Sequence, residues 1–146
     1  MSKIDILPFE ATIMVRDTCL CLHAQRAARA LARRFDEVLR PLGLTNGQFS
    51  LLMSLNRPQP ANMGQVASVL AMDRTTLTAC LKPLERRGLV KVSADPDDRR
   101  TRRLTLTPEG HKLLVKALPV WKRTHAELDR LLDDPEHLRA GLRTLS

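Results

Sequence analysis

The chain has 146 residues, and its hydrophobic share of 43% is enough for one globular domain with a buried core. A net charge of +8 and a pI near 10.3 favour a polyanionic partner. No apolar run approaches the ~20 residues of a membrane span and the N-terminus lacks a signal-peptide core, while three cysteines, an odd count, favour the reducing cytoplasm.

The first predicted helix follows a loosely ordered arm, residues 1–12, which we expect Phe9 to pin. The helix runs from about Ile13 to Leu42 and ends at Pro41 and Gly43. Its apolar residues recur at alternating steps of three and four, the heptad spacing of a helix that packs along its length. They are Cys21, Ala24, Ala28, Leu31, Phe35, Val38 and Leu42.

Two capping-box patterns predict the starts of the next helices. Thr45 with Gln48 starts a helix that ends near Asn56, and Asn62 with Gln65 opens a short one. We expect the two helices to bury Phe49, Leu52, Met53 and Leu55, and then Val66, Val69 and Leu70.

A third helix, Arg74 to Arg87, begins after the capping residue Asp73, and Leu77, Leu81 and Leu84 form its buried face. It follows the short helix after a tight turn, which predicts a helix-turn-helix. Small hydroxyl side chains at a helix N-terminus fit base edges and phosphates, so the polar face is a candidate DNA reader, or else it only faces solvent. That face comprises Arg74, Thr75, Thr76, Thr78 and Lys82.

A β-hairpin is predicted next, because Leu89–Ser93 and Arg103–Thr107 alternate apolar and polar residues around a turn rich in aspartate. Between Arg74 and Arg103 nine Lys and Arg residues face four acids, so most of the excess charge lies here. An arginine-rich hairpin tip suits the negative minor groove of DNA, although a basic run is also typical of a solvated face. The arginines are Arg99, Arg100, Arg102 and Arg103.

Two more helices complete the chain, one from Pro108 to about Leu132 and one that starts at Asp134-Pro135. Their apolar stripes and that of the first helix are longer than one small core can cover, so we expect a second chain to cover them. The predicted fold is mostly α-helical with a small β-hairpin: a dimeric winged helix-turn-helix in the order α1-α2-α3-α4-β-wing-α5-α6.

The chain resembles the MarR family of bacterial transcriptional regulators over essentially its whole length, through LGLTNGQFSLL, MDRTTLTACLKPLERRGLV and, most specifically, DPDDRRTRRLTLTPEG. The resemblance implies a triangular homodimer, with residues 1–42 and 108–146 as the dimerisation region and 43–107 as the DNA-binding region of one intertwined domain. It also implies that the helix at 74–87 enters the major groove, that Asp98 supports Arg100 in the minor groove, and that Arg99 contacts phosphate.

Cys21 is a further candidate site. Organic-hydroperoxide sensors of the MarR family carry a reactive cysteine early in the first helix, and Cys21 matches that position. Those sensors orient the thiolate with tyrosines, whereas this chain has none and carries Gln25 and Phe35 at the matching places. The alternative is a buried, inert cysteine. A metal site at Cys19, Cys21 and His23 is disfavoured, since Cys19 and Cys21 point to different sides of a regular helix.

The predicted function is a sequence-specific regulator, most simply a repressor, that binds a pseudo-palindromic operator and is released by a small effector. The resemblance suggests an aromatic or phenolic effector, for which Trp121 is a candidate wall. The alternative from another class is an architectural protein that binds DNA regardless of sequence. We predict no enzyme activity and no cofactor or metal, since the chain has no phosphate-binding glycine loop, metal-spaced His/Glu set or nucleophile-base pair.

Overall fold

The structure, a computed structural model, describes residues 4–146 and divides the chain into two compact units, one ending at Arg34 and one spanning Phe35–Ser146. Seven helices and three short strands make up the described residues. In chain order they are α1 (Phe9–Thr18), α2 (Leu20–Leu39), α3 (Asn46–Ser54), β1 (Ala61–Asn62), α4 (Met63–Leu70), α5 (Arg74–Arg86), β2 (Val90–Ala94), β3 (Arg102–Leu106), α6 (Pro108–Asp129) and α7 (Pro135–Leu145). A short 3-10 turn, Arg40–Leu42, follows α2.

The predicted single N-terminal helix is wrong, because two helices replace it. Cys19 has an extended ψ of 111°, which interrupts the helical backbone between α1 and α2. Thr18, a poor helix former, donates its hydroxyl to the Met14 carbonyl at 2.6 Å on the last turn of α1. The first helix also begins earlier than predicted, directly after Pro8, and Phe9 pins nothing because 71% of it is exposed.

The capping residues predicted for the next three helices are confirmed. The amide of Gln48 donates to the Thr45 hydroxyl, and the amide of Gln65 donates to the Asn62 side chain. Both glutamines return the contact to the amide of the capping residue, which completes two capping boxes. Asp73 caps α5 in the same position. These local signals place the starts of α3, α4 and α5.

The hydrophobic core lies in the second unit and is built mainly from leucines. The face predicted for α5 is confirmed, since Leu77, Leu81 and Leu84 are all buried. On α4 the predicted burial of Val69 is wrong, because 73% of its surface is exposed and Ala67 is buried instead. The largest fully buried side chains form the deepest layer of the core: Leu39, Leu51, Leu52, Leu77, Leu84, Leu104 and Val66.

The predicted hairpin is part of a three-stranded antiparallel sheet, with strand order β1-β3-β2. The short β1 was not predicted; it pairs Ala61 with Leu104 and Asn62 with Arg103. Because Asn62 also caps α4, this pairing attaches the hairpin to the first helix of the helix-turn-helix. A two-stranded hairpin is marginal alone, and β1 supplies the third strand that steadies it.

The start of α6 fits tightly against the base of the hairpin. The hydroxyl of Thr107 donates to the Gly88 carbonyl at 2.6 Å, and its amide donates to the Leu89 carbonyl at 3.1 Å. At Gly110 the helix passes so close that a Cβ would lie 2.3 Å from the Leu89 carbonyl oxygen. From here α6 runs to Asp129, three residues short of its predicted end. Between residues 4 and 146 no helix is both long and apolar enough to cross a membrane.

Candidate nucleic-acid interface

The first turn of α5 carries an exposed polar face held by its own cap. Asp73 accepts the Thr76 amide at 2.7 Å and the Thr76 hydroxyl at 2.9 Å, and these bonds hold the pKa of Asp73 below its usual value. The Thr78 hydroxyl donates to the Arg74 carbonyl at 2.8 Å. Thr76 and Thr78 thus have fixed side chains that still offer lone pairs and methyl groups outward, and Thr75 is exposed beside them.

Arg74 extends from the first turn of α5 toward the first turn of α4. Its Nη2 atom lies 3.5 Å from where a Cβ of Gly64 would stand. The guanidinium therefore lies over Gly64, close to the N-terminus of the neighbouring helix. Because both helix N-termini carry partial positive charge, this corner of the helix-turn-helix favours an anion such as a DNA phosphate.

The hairpin tip is a closed turn built on its aspartates. Asp98 accepts the Arg100 amide at 3.0 Å and the Thr101 hydroxyl at 3.2 Å, and its carbonyl accepts the Thr101 amide. Asp95 accepts the amide of Asp97 at 2.9 Å. These contacts fix the backbone, so Asp98 supports Arg100 through the main chain rather than through the guanidinium. Arg99 and Arg100 are exposed at the tip.

The sequence predicted Arg102 and Arg103 at the hairpin tip, but this is wrong, because both lie within β3. Strand pairing begins as soon as the chain leaves the tight turn, with Ala94 opposite Arg102. Arg102 lines a groove of about 340 Å³ between α5 and the hairpin. The same groove is lined by Met63, Thr78, Leu81, Lys82, Glu85 and Val92. The structure thus brings Thr78, Lys82 and Arg102, three predicted site residues, to one groove.

Two features of the interface were not predicted from the sequence. Arg87, treated only as a basic residue at a helix end, donates from Nη1 to the carbonyl of Gly43 at 2.7 Å. The contact joins residues 44 apart in the chain, and no local pattern announces it. The position of Gly110 against Leu89 is equally non-local. In both cases the only sequence signal is a glycine that ends or opens a helix.

The three cysteines occupy different surroundings. Cys21 is exposed, and its sulfur accepts a hydrogen bond from the side-chain amide (Nε2) of Gln25 at 3.2 Å. The interpretation of Cys21 as a buried core residue is therefore wrong for the single chain. Cys19 lies at the helix break, where its sulfur accepts the Leu22 amide. Cys80 packs partly buried against the core. Within the described part of the chain no group of three or more His, Cys, Asp or Glu side chains could hold a metal ion.

Trp121 borders an apolar groove in the second unit. Its ring stacks on His125 at 4.7 Å and on Phe49 at 6.3 Å between ring centroids. The groove has a volume of about 410 Å³, within the range of small-molecule sites. Its lining comes from α3, α4 and α6 and comprises Phe49, Ser50, Met53, Ser54, Val69, Leu118 and Trp121. Since none of these side chains is charged, the groove suits an uncharged aromatic ring.

A capped helix-turn-helix followed by an arginine-tipped hairpin defines a winged helix-turn-helix DNA-binding protein. The MarR family profile matches residues 44–101, which span α3, the helix-turn-helix of α4 and α5, and the hairpin as far as its tip. The chain is 37% identical to the transcriptional activatory protein BadR of Rhodopseudomonas palustris, a match that covers 77% of this chain and 67% of BadR.

Solved structures agree with this assignment. The M. tuberculosis transcriptional regulator MosR in complex with DNA is 38% identical and has a TM-score of 0.81, with 87% of this chain and 92% of that chain covered. The transcriptional repressor CouR bound to a 23-mer DNA duplex is 29% identical, with a TM-score of 0.80 over 97% of this chain and 99% of that one. The chain belongs to the MarR family.

Family membership confirms the predicted fold class and the predicted kind of function. The protein is a DNA-binding transcriptional regulator with a winged helix-turn-helix, and it is not an enzyme. The alternative of an architectural protein that ignores sequence is therefore set aside.

Proposed function

We propose that the protein acts as a homodimer on a pseudo-palindromic operator. A single chain leaves a row of leucines exposed on α7, namely Leu138, Leu142 and Leu145. Such a stripe on a two-turn or longer helix is ordinarily covered, and a two-fold partner is the commonest cover. In this proposal residues 1–42 and 108–146 dimerise and 43–107 bind DNA. Two copies of α5 then lie about 34 Å apart, one turn of DNA.

Within each half, α5 reads bases and the hairpin reads the minor groove. Thr75, Thr76 and Thr78, with Arg74, face the base edges from the major groove. Arg100 enters the minor groove, where closely spaced phosphates deepen the negative potential. The remaining cations of the site, Lys82, Arg99 and Arg102, contact phosphates. The observation that carries the proposal is the Asp98 turn, which fixes the backbone that presents Arg100.

The regulator most simply represses, since a dimer bound at a promoter excludes polymerase, and it works in the cytoplasm where its DNA lies. Release follows when a small aromatic or phenolic molecule enters the groove beside Trp121. The groove touches α3, α4 and α6 together, so a ligand there changes how the DNA-binding helices are held. Effector binding then lowers operator affinity by favouring a different spacing of the two lobes.

A second candidate signal is oxidation of Cys21. The specific observation is that the thiol is exposed and accepts a hydrogen bond from the Gln25 amide at 3.2 Å. The thiolate is the form of cysteine that attacks peroxides, and the side chain of Gln25 lies within hydrogen-bond distance of this sulfur. Gln25 stands where the related sensors carry a tyrosine and offers a comparable donor. A hydroperoxide would oxidise Cys21 to the sulfenic acid and leave as the alcohol.

Fluorescence anisotropy with the duplex upstream of the protein's own gene, against a scrambled duplex, tests the proposal. Wild type should prefer its own duplex, and Arg100→Ala should weaken that binding by about 1–3 kcal/mol, the scale of a lost groove contact, while the dimer persists. Equal affinity for both duplexes, or an unaffected Arg100→Ala, would contradict it. Repeating the titration after organic hydroperoxide, with Cys21→Ser as control, tests the thiol: loss of affinity that the variant abolishes supports Cys21, and unchanged affinity refutes it.

A further inference from the structure

The recognition helix is held at its far end by a contact that no DNA-binding role explains. Arg87 is the C-cap residue directly after α5, and its guanidinium turns back to the Gly43 carbonyl rather than outward. Its Nη2 atom also lies 3.1 Å from where a Cβ of Gly43 would stand. Gly43 itself has a φ of +68°, a left-handed conformation that favours glycine. Position 43 thus supplies both an acceptor and the space for the guanidinium.

Both ends of this contact are anchored in the core. Gly43 lies between the 3-10 turn and Leu44, which is only 3% exposed. The Gly43 amide donates to the Arg40 carbonyl at 2.8 Å. Arg87 lies between Leu84 and Leu89, which are both buried. The hydrogen bond therefore joins two fixed points, the turn that follows α2 and the C-terminal end of α5. A contact between two anchored backbones limits how α5 tilts.

Tilt matters because the base-reading residues lie at the other end of the helix. From Arg87 to Arg74 the helix is about 20 Å long at 1.5 Å per residue. A tilt of about 5° about the buried middle of the helix moves Arg87 at one end and the N-terminal turn at the other by about 0.9 Å each on that length. Hydrogen bonds to base edges tolerate only a few tenths of an ångström. Phosphate contacts by long, flexible cations tolerate far more, so a loose helix loses specificity before it loses general affinity.

We propose that Arg87 is a positioning residue for sequence recognition: through Gly43 it fixes the tilt of α5 so that the threonine turn meets the bases. The inference rests on the proposed role of α5 as the base-reading helix. Arg87 touches no base in this account, and it sets the fraction of molecules whose α5 is correctly placed. Affinity for the operator scales with that fraction, whereas affinity for random DNA does not.

The test measures binding of the full-length protein to its own upstream duplex and to a scrambled duplex over a salt series. Arg87→Gln removes the charge and the contact, and Gly43→Ala disturbs the same contact from the acceptor side without changing any charge. Arg86→Gln is the matched control, because Arg86 is exposed and neighbours Arg87, yet its side chain makes no hydrogen bond or ion pair among residues 4–146. Melting temperatures are recorded, and binding is measured well below them.

Arg87→Gln should weaken binding to the own duplex about tenfold, which corresponds to a correctly placed α5 in about one molecule in ten. Binding to scrambled DNA should not change. Gly43→Ala should do the same, and the double variant should be no worse than either alone, because both remove one contact. Arg86→Gln should leave the specificity ratio unchanged. Should Gly43→Ala fail to fold, Arg87→Gln with its control still decides the matter.

Three results would overturn the inference. Equal weakening on both duplexes, with a salt slope reduced by about one, would make Arg87 a phosphate ligand. A lower melting temperature with unchanged specificity would make the contact purely structural. No change at all would leave it without a role. A wild type without preference for its own duplex, or an Arg100→Ala variant that keeps this preference, would instead contradict the proposed function. If Arg100→Ala loses the preference and Arg87→Gln keeps it, only the inference about Arg87 is contradicted.

Discussion

The close approach of α6 to the hairpin leaves Gly110 less room for an added Cβ than any other glycine of the chain. A Cβ at this position would stand 2.3 Å from the Leu89 carbonyl oxygen and 3.1 Å from a methyl of Leu106. Real Cβ atoms keep at least 3.0 Å from such neighbours, so Gly110→Ala must push α6 and the backbone of Leu89 apart by roughly 0.7 Å. The carbonyl cannot give way alone, because it accepts the Thr107 amide at 3.1 Å.

The free energy of unfolding should fall by about 3 kcal/mol, since overpacking against fixed backbone costs about 1–3 kcal/mol and the Thr107 hydrogen bonds are strained as well. For a chain of this length, about 2–4 °C of melting temperature is lost per kcal/mol, which gives a drop of roughly 6–12 °C. Intrinsic helix propensity works in the opposite direction by up to about 1 kcal/mol, which is smaller.

Urea and thermal unfolding of Gly110→Ala, with Gly47→Ala as the matched control, measure this effect. Gly47 also lies in the first turn of a helix, and its added Cβ would approach only the Thr45 hydroxyl, at 4.0 Å. The control should be as stable as wild type or more stable by up to about 1 kcal/mol. If Gly110→Ala matches Gly47→Ala, the close approach carries no energetic weight and the reasoning fails.

Three further predictions concern the cap, the groove and the dimer. Asp73→Ala should lower the free energy of unfolding at neutral pH, and its difference from wild type should shrink as the pH falls below 3.8. The reason is that a carboxylate whose pKa is lowered on folding stabilises the fold only while it is ionised. Urea unfolding across about pH 2.5–7, the range in which carboxylates titrate, measures this effect. Arg102→Ala should weaken own and scrambled duplexes equally and reduce the salt slope by about one, whereas Lys122→Ala on α6 should not; unequal weakening would give Arg102 a role in sequence reading. Leu142→Asp should yield monomers in analytical ultracentrifugation, while Val69→Asp, at a still more exposed apolar position on α4, stays dimeric; a dimeric Leu142→Asp would move the interface away from α7.

The parts of the fold that were predicted correctly depend on neighbours in the sequence. Thr45, Asn62 and Asp73 cap helices through contacts three residues away, so their side-chain chemistry is enough to locate the helix starts. The aspartates of the hairpin turn bond to amides two residues ahead, which again is local. Because the arginines stand next to this turn in the sequence, the hairpin tip could be predicted as a candidate DNA-binding site.

The parts that were missed depend on distant residues. The strand β1 exists only because Ala61 pairs with Leu104, and two residues carry no periodicity of their own. Arg87 resembles any basic helix end until its partner Gly43, far away in the chain, is known. The break at Cys19 was missed because it lies just before the heptad stripe that begins at Cys21, and periodicity records which side chains are apolar and not where the backbone turns.

Hydroxyl-radical footprinting on the DNA upstream of the protein's own gene shows whether two copies of α5 and its hairpin read one operator. We expect two protected half-sites about 10 base pairs apart, with flanking minor-groove protection that disappears in Arg100→Ala while the central protection remains. Uniform protection along the duplex, or flanking protection that survives in Arg100→Ala, would contradict it.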